Sequence, residues 1–191
     1  HPYCVGEENK PENITVKNGE FSEEKKVDDF VERFYFEIFS VAYGDVNNDK
    51  KEDAVVLSVC NTGGTGNFTE GFVYELKNGK PALLTRIPGG DRAHGGLREA
   101  RVENGLIIVE SSDAGENGGA CCPEYIVTSK YRVKADKLEP AGAETRREIY
   151  PAKRVAFARG ASKATETVTL SEDDDIKRFV VGARAGQTLT V

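Results

Sequence analysis

The stretch Gly71-Phe-Val-Tyr-Glu-Leu-Lys-Asn78-Gly79-Lys-Pro-Ala82-Leu-Leu-Thr-Arg-Ile87 decides the fold. Two apolar-rich runs of strand length, Gly71 to Leu76 and Ala82 to Ile87, flank an Asn-Gly pair. Asn-Gly is the preferred centre of a two-residue hairpin turn, because both positions need the left-handed backbone that suits the twist of paired strands. The arrangement recurs at Arg101 to Glu103, Asn104-Gly105 and Leu106 to Glu110. Phe34 to Tyr43 alternates in part and is rich in aromatics, Ala54 to Val59 is a continuous apolar run, and Tyr125 to Val133 has strand character. Strands separated by turn signals in this way predict an antiparallel meander of hairpins, a mostly β domain. At most one short helix is expected, with Ser22 to Arg33 as the candidate, Ser22 as its cap and Val27, Phe30 and Val31 as its apolar stripe, against aromatics just beyond that read as strand.

Composition sets the limits. The chain has 191 residues, enough for one large or two small domains. Hydrophobic residues at 38% suffice for a core, and no apolar run approaches the ~18 residues of a membrane-spanning helix. The net charge of −6 argues against non-specific binding to nucleic acid; it reads first as solubility, with a cationic protein partner as the alternative. The sequence starts at His1 and contains no Met, from which removal of a preceding segment, and export, are expected. The four cysteines, Cys4, Cys60, Cys121 and Cys122, lack zinc spacing, and an even count in an exported chain reads as disulfides. Three pairings are open. A bond between the neighbours Cys121 and Cys122 closes a strained ring, so the expectation is that each bonds elsewhere, to Cys4 and Cys60.

Residues 1–139 are read as the β-rich domain. Residues 140–152, with Pro, Gly and the charged cluster Glu144 to Glu148, are read as a linker. Arg154 to Ala158, Thr165 to Leu170 and Arg178 to Ala183 are read as opening strands of a second, partial β-sandwich unit over 153–191.

The most chemically specific segment is Asp45-Val-Asn47-Asn48-Asp49-Lys50-Lys51-Glu52-Asp53. Asp45, Asn47, Asp49 and Asp53 supply oxygen side chains at alternate positions, and Lys51 offers its backbone carbonyl. Ca²⁺ takes such a shell of oxygens. The flanks are strand-like and position twelve is Val56 rather than Glu, so this is not an EF-hand loop. The competing reading is an Asx-rich turn held by its own hydrogen bonds. With Ala54-Val55-Val56, the segment resembles the calcium loops of FG-GAP repeats, in which a Gly stands where this chain has Lys50. A left-handed Lys50 would cost about 1 kcal/mol. No second copy of the loop is present, so no propeller is expected.

Other polar segments give less. Gly63-Gly64-Thr65-Gly66 and Gly89 to Gly96 lack the Lys-Ser/Thr that ends a phosphate loop and read as long hairpin loops. Asp91, Arg92 and His94 lie close in sequence, yet no nucleophile elbow accompanies them. Asp173 to Asp175 reads as a solvated charge run, and Asn13-Ile-Thr15 and Asn67-Phe-Thr69 are glycosylation sequons.

Tyr43-Gly44-Asp45 running into Asp53-Ala54-Val55-Val56, then Gly90-Asp91-Arg92, then Cys121-Cys122-Pro123, in that order, resemble a group of bacterial exported proteins and lipoproteins with no known enzyme activity. The resemblance spans residues 12–139 and implies a cell-envelope location. The tail, Val155 to Gly160 and Phe179 to Leu189, is similar to the start of β modules found in inhibitors of goose-type lysozyme and in pre-peptidase C-terminal domains. Three functions follow as expectations. The first is a non-catalytic extracellular or cell-envelope binding or structural module stabilised by calcium. The second is an inhibitor of a secreted hydrolase such as lysozyme. The third is a hydrolase using the Asp91/His94 loop.

Overall fold

A computed structural model describes residues 14–116, 118–171, 176–188 and 190. The described residues contain no helix, and the expected mostly β, antiparallel architecture holds. The chain divides into two units, His1–Arg147 and Glu148–Val191.

The first unit holds two five-stranded sheets. One runs in sequence order, β1 (Glu20–Val27), β2 (Phe30–Gly44), β3 (Asp53–Asn61), β4 (Phe68–Lys77) and β5 (Lys80–Ile87). The other has the order β10 (Thr145–Glu148), β8 (Tyr125–Lys134), β7 (Leu106–Asp113) and β6 (His94–Glu103), with β9 (Lys137–Pro140) also paired to β8. Part of the stretch read as a linker is therefore strand. Isolated bridges from Phe68 to Asp91 and from Asp91 to His94 carry the pairing from β4 round to β6.

Both Asn-Gly pairs sit in turns with the expected backbone. Asn78 and Gly79 have φ of 53° and 74°, and Asn104 and Gly105 have 51° and 75°. These turns fix the register, Lys77 opposite Lys80 and Glu103 opposite Leu106. Register then sets which side chains face inward. Val55 and Leu57 of β3, Val73 of β4, and Leu84 and Ile87 of β5 pack with Leu97, Ala100, Ile107 and Val109 of β6 and β7 in one core. Burying these aliphatic groups supplies the main stabilisation, at roughly 1.5–3 kcal/mol for each side chain fully removed from water.

The expected helix over Ser22 to Arg33 is instead a hairpin. Asp28 takes φ 53° at its turn, and Ser22 pairs with Tyr35 and Glu24 with Arg33. A helix there would have had only three apolar residues to bury, and Val31 is 52% exposed in the structure. Extension instead gains a ladder with the aromatic strand β2, a Phe21–Phe34 ring contact at 5.9 Å and an Arg33–Glu24 ion pair at 2.9 Å. Strand pairing outweighs the weak local helix signal.

In the second unit, the described strands are β11 (Lys153–Arg154) and β12 (Phe179–Val180), paired in parallel. Thr165 to Leu170, read as a strand, is not one: Val168 and Leu170 are exposed and no described strand pairs with them. The charge run Asp173 to Asp175 lies outside the described residues, as do Cys4 and the sequon residue Asn13. No described helix is long and apolar enough to cross a membrane.

Candidate functional site

The Asp45–Asp53 loop joins β2 to β3, whose end residues Gly44 and Asp53 are paired. It is anchored from below. Val46 is 3% exposed within the core, and Asp53, at 2%, accepts the Val46 N–H on Oδ2 at 3.0 Å. Above that anchor the side chains fold the loop. Asp45 accepts the N–H of Asp49 on Oδ1 at 3.1 Å and that of Lys50 on Oδ2 at 2.9 Å. Asn47 Oδ1 also accepts from Asp49 N at 3.0 Å, and Asp49 Oδ1 accepts from Lys51 N at 2.8 Å. Asn48 and Lys50 take φ of 65° and 67°. Lys50 thus occupies the left-handed position that a Gly would fill without strain.

The loop therefore has the hydrogen bonds of an Asx-built turn. Among the described residues, no three Asp, Glu, His or Cys side chains form a group placed to hold a metal ion. The donor chemistry still suits a hard cation in part. An ionised carboxylate has about four lone-pair sites, so one N–H on each oxygen of Asp45 leaves acceptor capacity. The Lys51 ammonium lies 3.6 Å from Asp49 Oδ2, so the loop already draws one positive charge. Burial pushes the Asp53 carboxyl above its ordinary range, and the charges of Asp49 and Asp45 push it the same way against the N–H groups of Val46 and Asn47.

The glycine-rich segment 89–96 is not a long hairpin loop but a tight corner between β5 and β6, and β6 begins within it at His94. Thr69 of β4 holds the corner. Its Oγ1 accepts the Leu97 N–H at 2.7 Å and donates to the Gly90 carbonyl at 3.1 Å. A Cβ on Gly96 would run into the Arg92 carbonyl, the same oxygen to which Gly96 N donates at 3.0 Å. Asp91 is committed here as well. It accepts Asn67 N at 2.8 Å, and both its oxygens take N–H groups of Arg92 at 3.0 Å. The Arg92 guanidinium therefore holds the Asp91 carboxyl below its usual range. With Asp91 so engaged, the exposed imidazole of His94 has no hydrogen-bond partner among the described residues, and Asp91 does not orient it.

The cysteines depart from expectation. Cys121 and Cys122 are bonded to each other. The connection from β7 to β8 folds back on itself, with Gly118 N donating to the Ala114 carbonyl at 3.0 Å and Cys122 N to Gly119 at 2.9 Å. Ala93 N donates to the Ala120 carbonyl at 3.1 Å and ties this loop to the glycine corner. Both sulfurs are thereby held at the surface, whereas Cys60 is fully buried in β3. Cys60 is itself disulfide-bonded, and no described cysteine is a free thiol.

Three polar residues gain importance only in three dimensions: Thr69, Glu70 and Arg98. Glu70 is 4% exposed, pairs with Arg86 at 3.0 Å through Oε1, and leaves Oε2 buried without a hydrogen bond. Alternation along Phe68 to Tyr74 was the one available signal, since it puts Thr69 inward with Gly71 and Val73. No family model, curated protein or solved structure matches the chain.

Proposed function

We propose that this chain is a non-catalytic extracytoplasmic binding or structural module, stabilised by calcium at the Asp45–Asp53 loop. The observation that carries the calcium reading is the buried Asp53 carboxylate under the combined negative charge of Asp45 and Asp49. A divalent cation on these carboxylates, with the Asn47 side chain and the Lys51 carbonyl completing its shell, would remove a repulsion that the loop now offsets only with N–H groups and one lysine. Disulfide-bonded cysteines support an oxidising, exported setting, and so does the resemblance of the motif order to that of bacterial exported proteins and lipoproteins.

Thermal unfolding of the intact chain tests the calcium reading. A site with Kd of about 1 mM, the order expected for extracellular modules, stabilises by about 1.4 kcal/mol in about 10 mM Ca²⁺. Tm should therefore rise by a few degrees in Ca²⁺ relative to chelator, and Asp45→Asn should abolish the rise. Equal Tm values in Ca²⁺ and in chelator would sink the calcium reading.

A further inference from the structure

Beside the glycine corner lies an open cavity of about 270 Å³. Arg92, Arg98, Thr69, Leu97, Cys121 and Pro123 are among its lining residues, and among the described residues no acidic side chain lines it. In a chain of net charge −6 this is a local reversal of sign. The two arginines differ. Arg92 is neutralised by Asp91 through two hydrogen bonds. Arg98 makes one bond, from Nη1 to Ser112 Oγ at 3.3 Å, and no described carboxylate pairs with it. A guanidinium carries five N–H donors, so most of the Arg98 fork is open.

The rest of the cavity is of a different character. Leu97, Pro123 and the Cys121 sulfur, held in its bond to Cys122, give an apolar, polarisable wall. The site is built rather than incidental. The Ala93–Ala120 hydrogen bond fixes the disulfide loop against the corner, and Thr69 fixes the corner against β4.

We propose that this cavity is a binding site for a small oxyanion-bearing molecule about one ring in size, its carboxylate or phosphate on Arg98 and its body against Leu97, Pro123 and the disulfide. Guanidinium forks match both oxyanions, and such charge-assisted bonds are the strong ones. The volume falls just below the range of drug-sized pockets, ~300–1,000 Å³, which suits one ring better than a larger ligand. The proposal rests on the binding-module reading and gives that module a ligand class. It is independent of calcium.

Calorimetric titration of the intact chain with glucuronate, glucose and inorganic phosphate tests it. Glucuronate is expected to bind, phosphate to bind about tenfold more weakly, and glucose not to bind. Arg98→Gln, at an exposed side chain whose loss leaves the core intact, should weaken glucuronate at least tenfold. Cys121→Ser/Cys122→Ser should weaken glucuronate and leave phosphate unchanged. Absence of heat from both anions at 10 mM (a concentration of about ten times a millimolar Kd), or unchanged binding in Arg98→Gln, overturns the site. Arg98-dependent binding followed by chemical conversion of glucuronate keeps the site and overturns the non-catalytic reading.

Discussion

The Asp45–Asp53 loop and the Gly89–Gly96 corner are both polar, both carry aspartates and both connect strands, yet they are held in opposite ways. In the first, every side-chain bond stays within seven residues, from Asp45 to Lys50 and from Val46 to Asp53. In the second, the decisive bonds cross 21 to 28 positions, from Asn67 to Asp91 and from Thr69 to Gly90 and Leu97. A locally held turn can change or bind an ion without disturbing what lies beyond it. The corner joins the two sheets, so its failure is a failure of the core.

The largest expected effect breaks the corner. Gly96→Ala puts a methyl group against the Arg92 carbonyl, a backbone atom that cannot swing aside. Overpacking of this kind costs about 3 kcal/mol, and here it also weakens the Gly96–Arg92 hydrogen bond. Urea unfolding should show a lowered midpoint with an unchanged slope. A loss below about 0.5 kcal/mol, the level of ordinary surface changes, would show that the corner yields as easily as the aspartate loop.

The same contrast explains what could be read in advance. The hairpins at Asn78-Gly79 and Asn104-Gly105 were legible because their conformation is written in two adjacent residues. The Asx-built loop was legible only as the reading that competed with calcium, because its acceptors and donors are sequence neighbours. The turn at Ala135 and Asp136 was not, since Ala135 takes φ 48° and Asp136 φ 61° without a glycine, forced by the ladder that pairs Val133 with Leu138. Nor was β1, whose conformation depends on a partner strand. The Cys121–Cys122 bond escaped for a related reason. Ring strain argues against it locally, and the loop that permits it is held by Ala93, far away in sequence. Arg98 showed no local signal, because what marks it is a carboxylate that no described residue supplies.

Acid response sharpens the comparison, since the two aspartates should answer pH with opposite sign. The ordinary pKa is 3.8 for both. Asp53 is raised in the folded state, so the native protein holds that proton more tightly than the unfolded chain does. Its cost to stability is absent below pH 3.8 and grows as pH rises from there through the folded value. Asp91 is lowered, so its contribution is fully present above pH 3.8 and is lost as pH falls through the folded value. In metal-free buffer, Asp53→Asn should match the parent in acid and exceed it in stability at neutral pH, while keeping an acceptor for Val46 N. Asp91→Asn should fall below the parent most at neutral pH, with the gap closing in acid. Melting curves at several pH values decide it, and parallel profiles for the two variants would mean that the loops do not differ electrostatically.

The smallest effect tests the aspartate loop alone. Lys50 pays for its left-handed backbone, φ 67°, with a side chain that makes no hydrogen bond or ion pair among the described residues. Lys50→Gly removes that strain, worth about 1–2 kcal/mol, and gives back about 0.5–1 kcal/mol through the greater freedom of Gly in the unfolded chain. A net gain of about 1 kcal/mol or less should appear as a small rise in Tm without calcium. The change also removes one positive charge from the loop, so the calcium-dependent rise in Tm should increase as well. If Lys50→Gly stabilises the metal-free protein while its response to Ca²⁺ stays flat, the loop is a turn that glycine merely relaxes. If both rise together, strain and charge at Lys50 are what hold the site at low affinity.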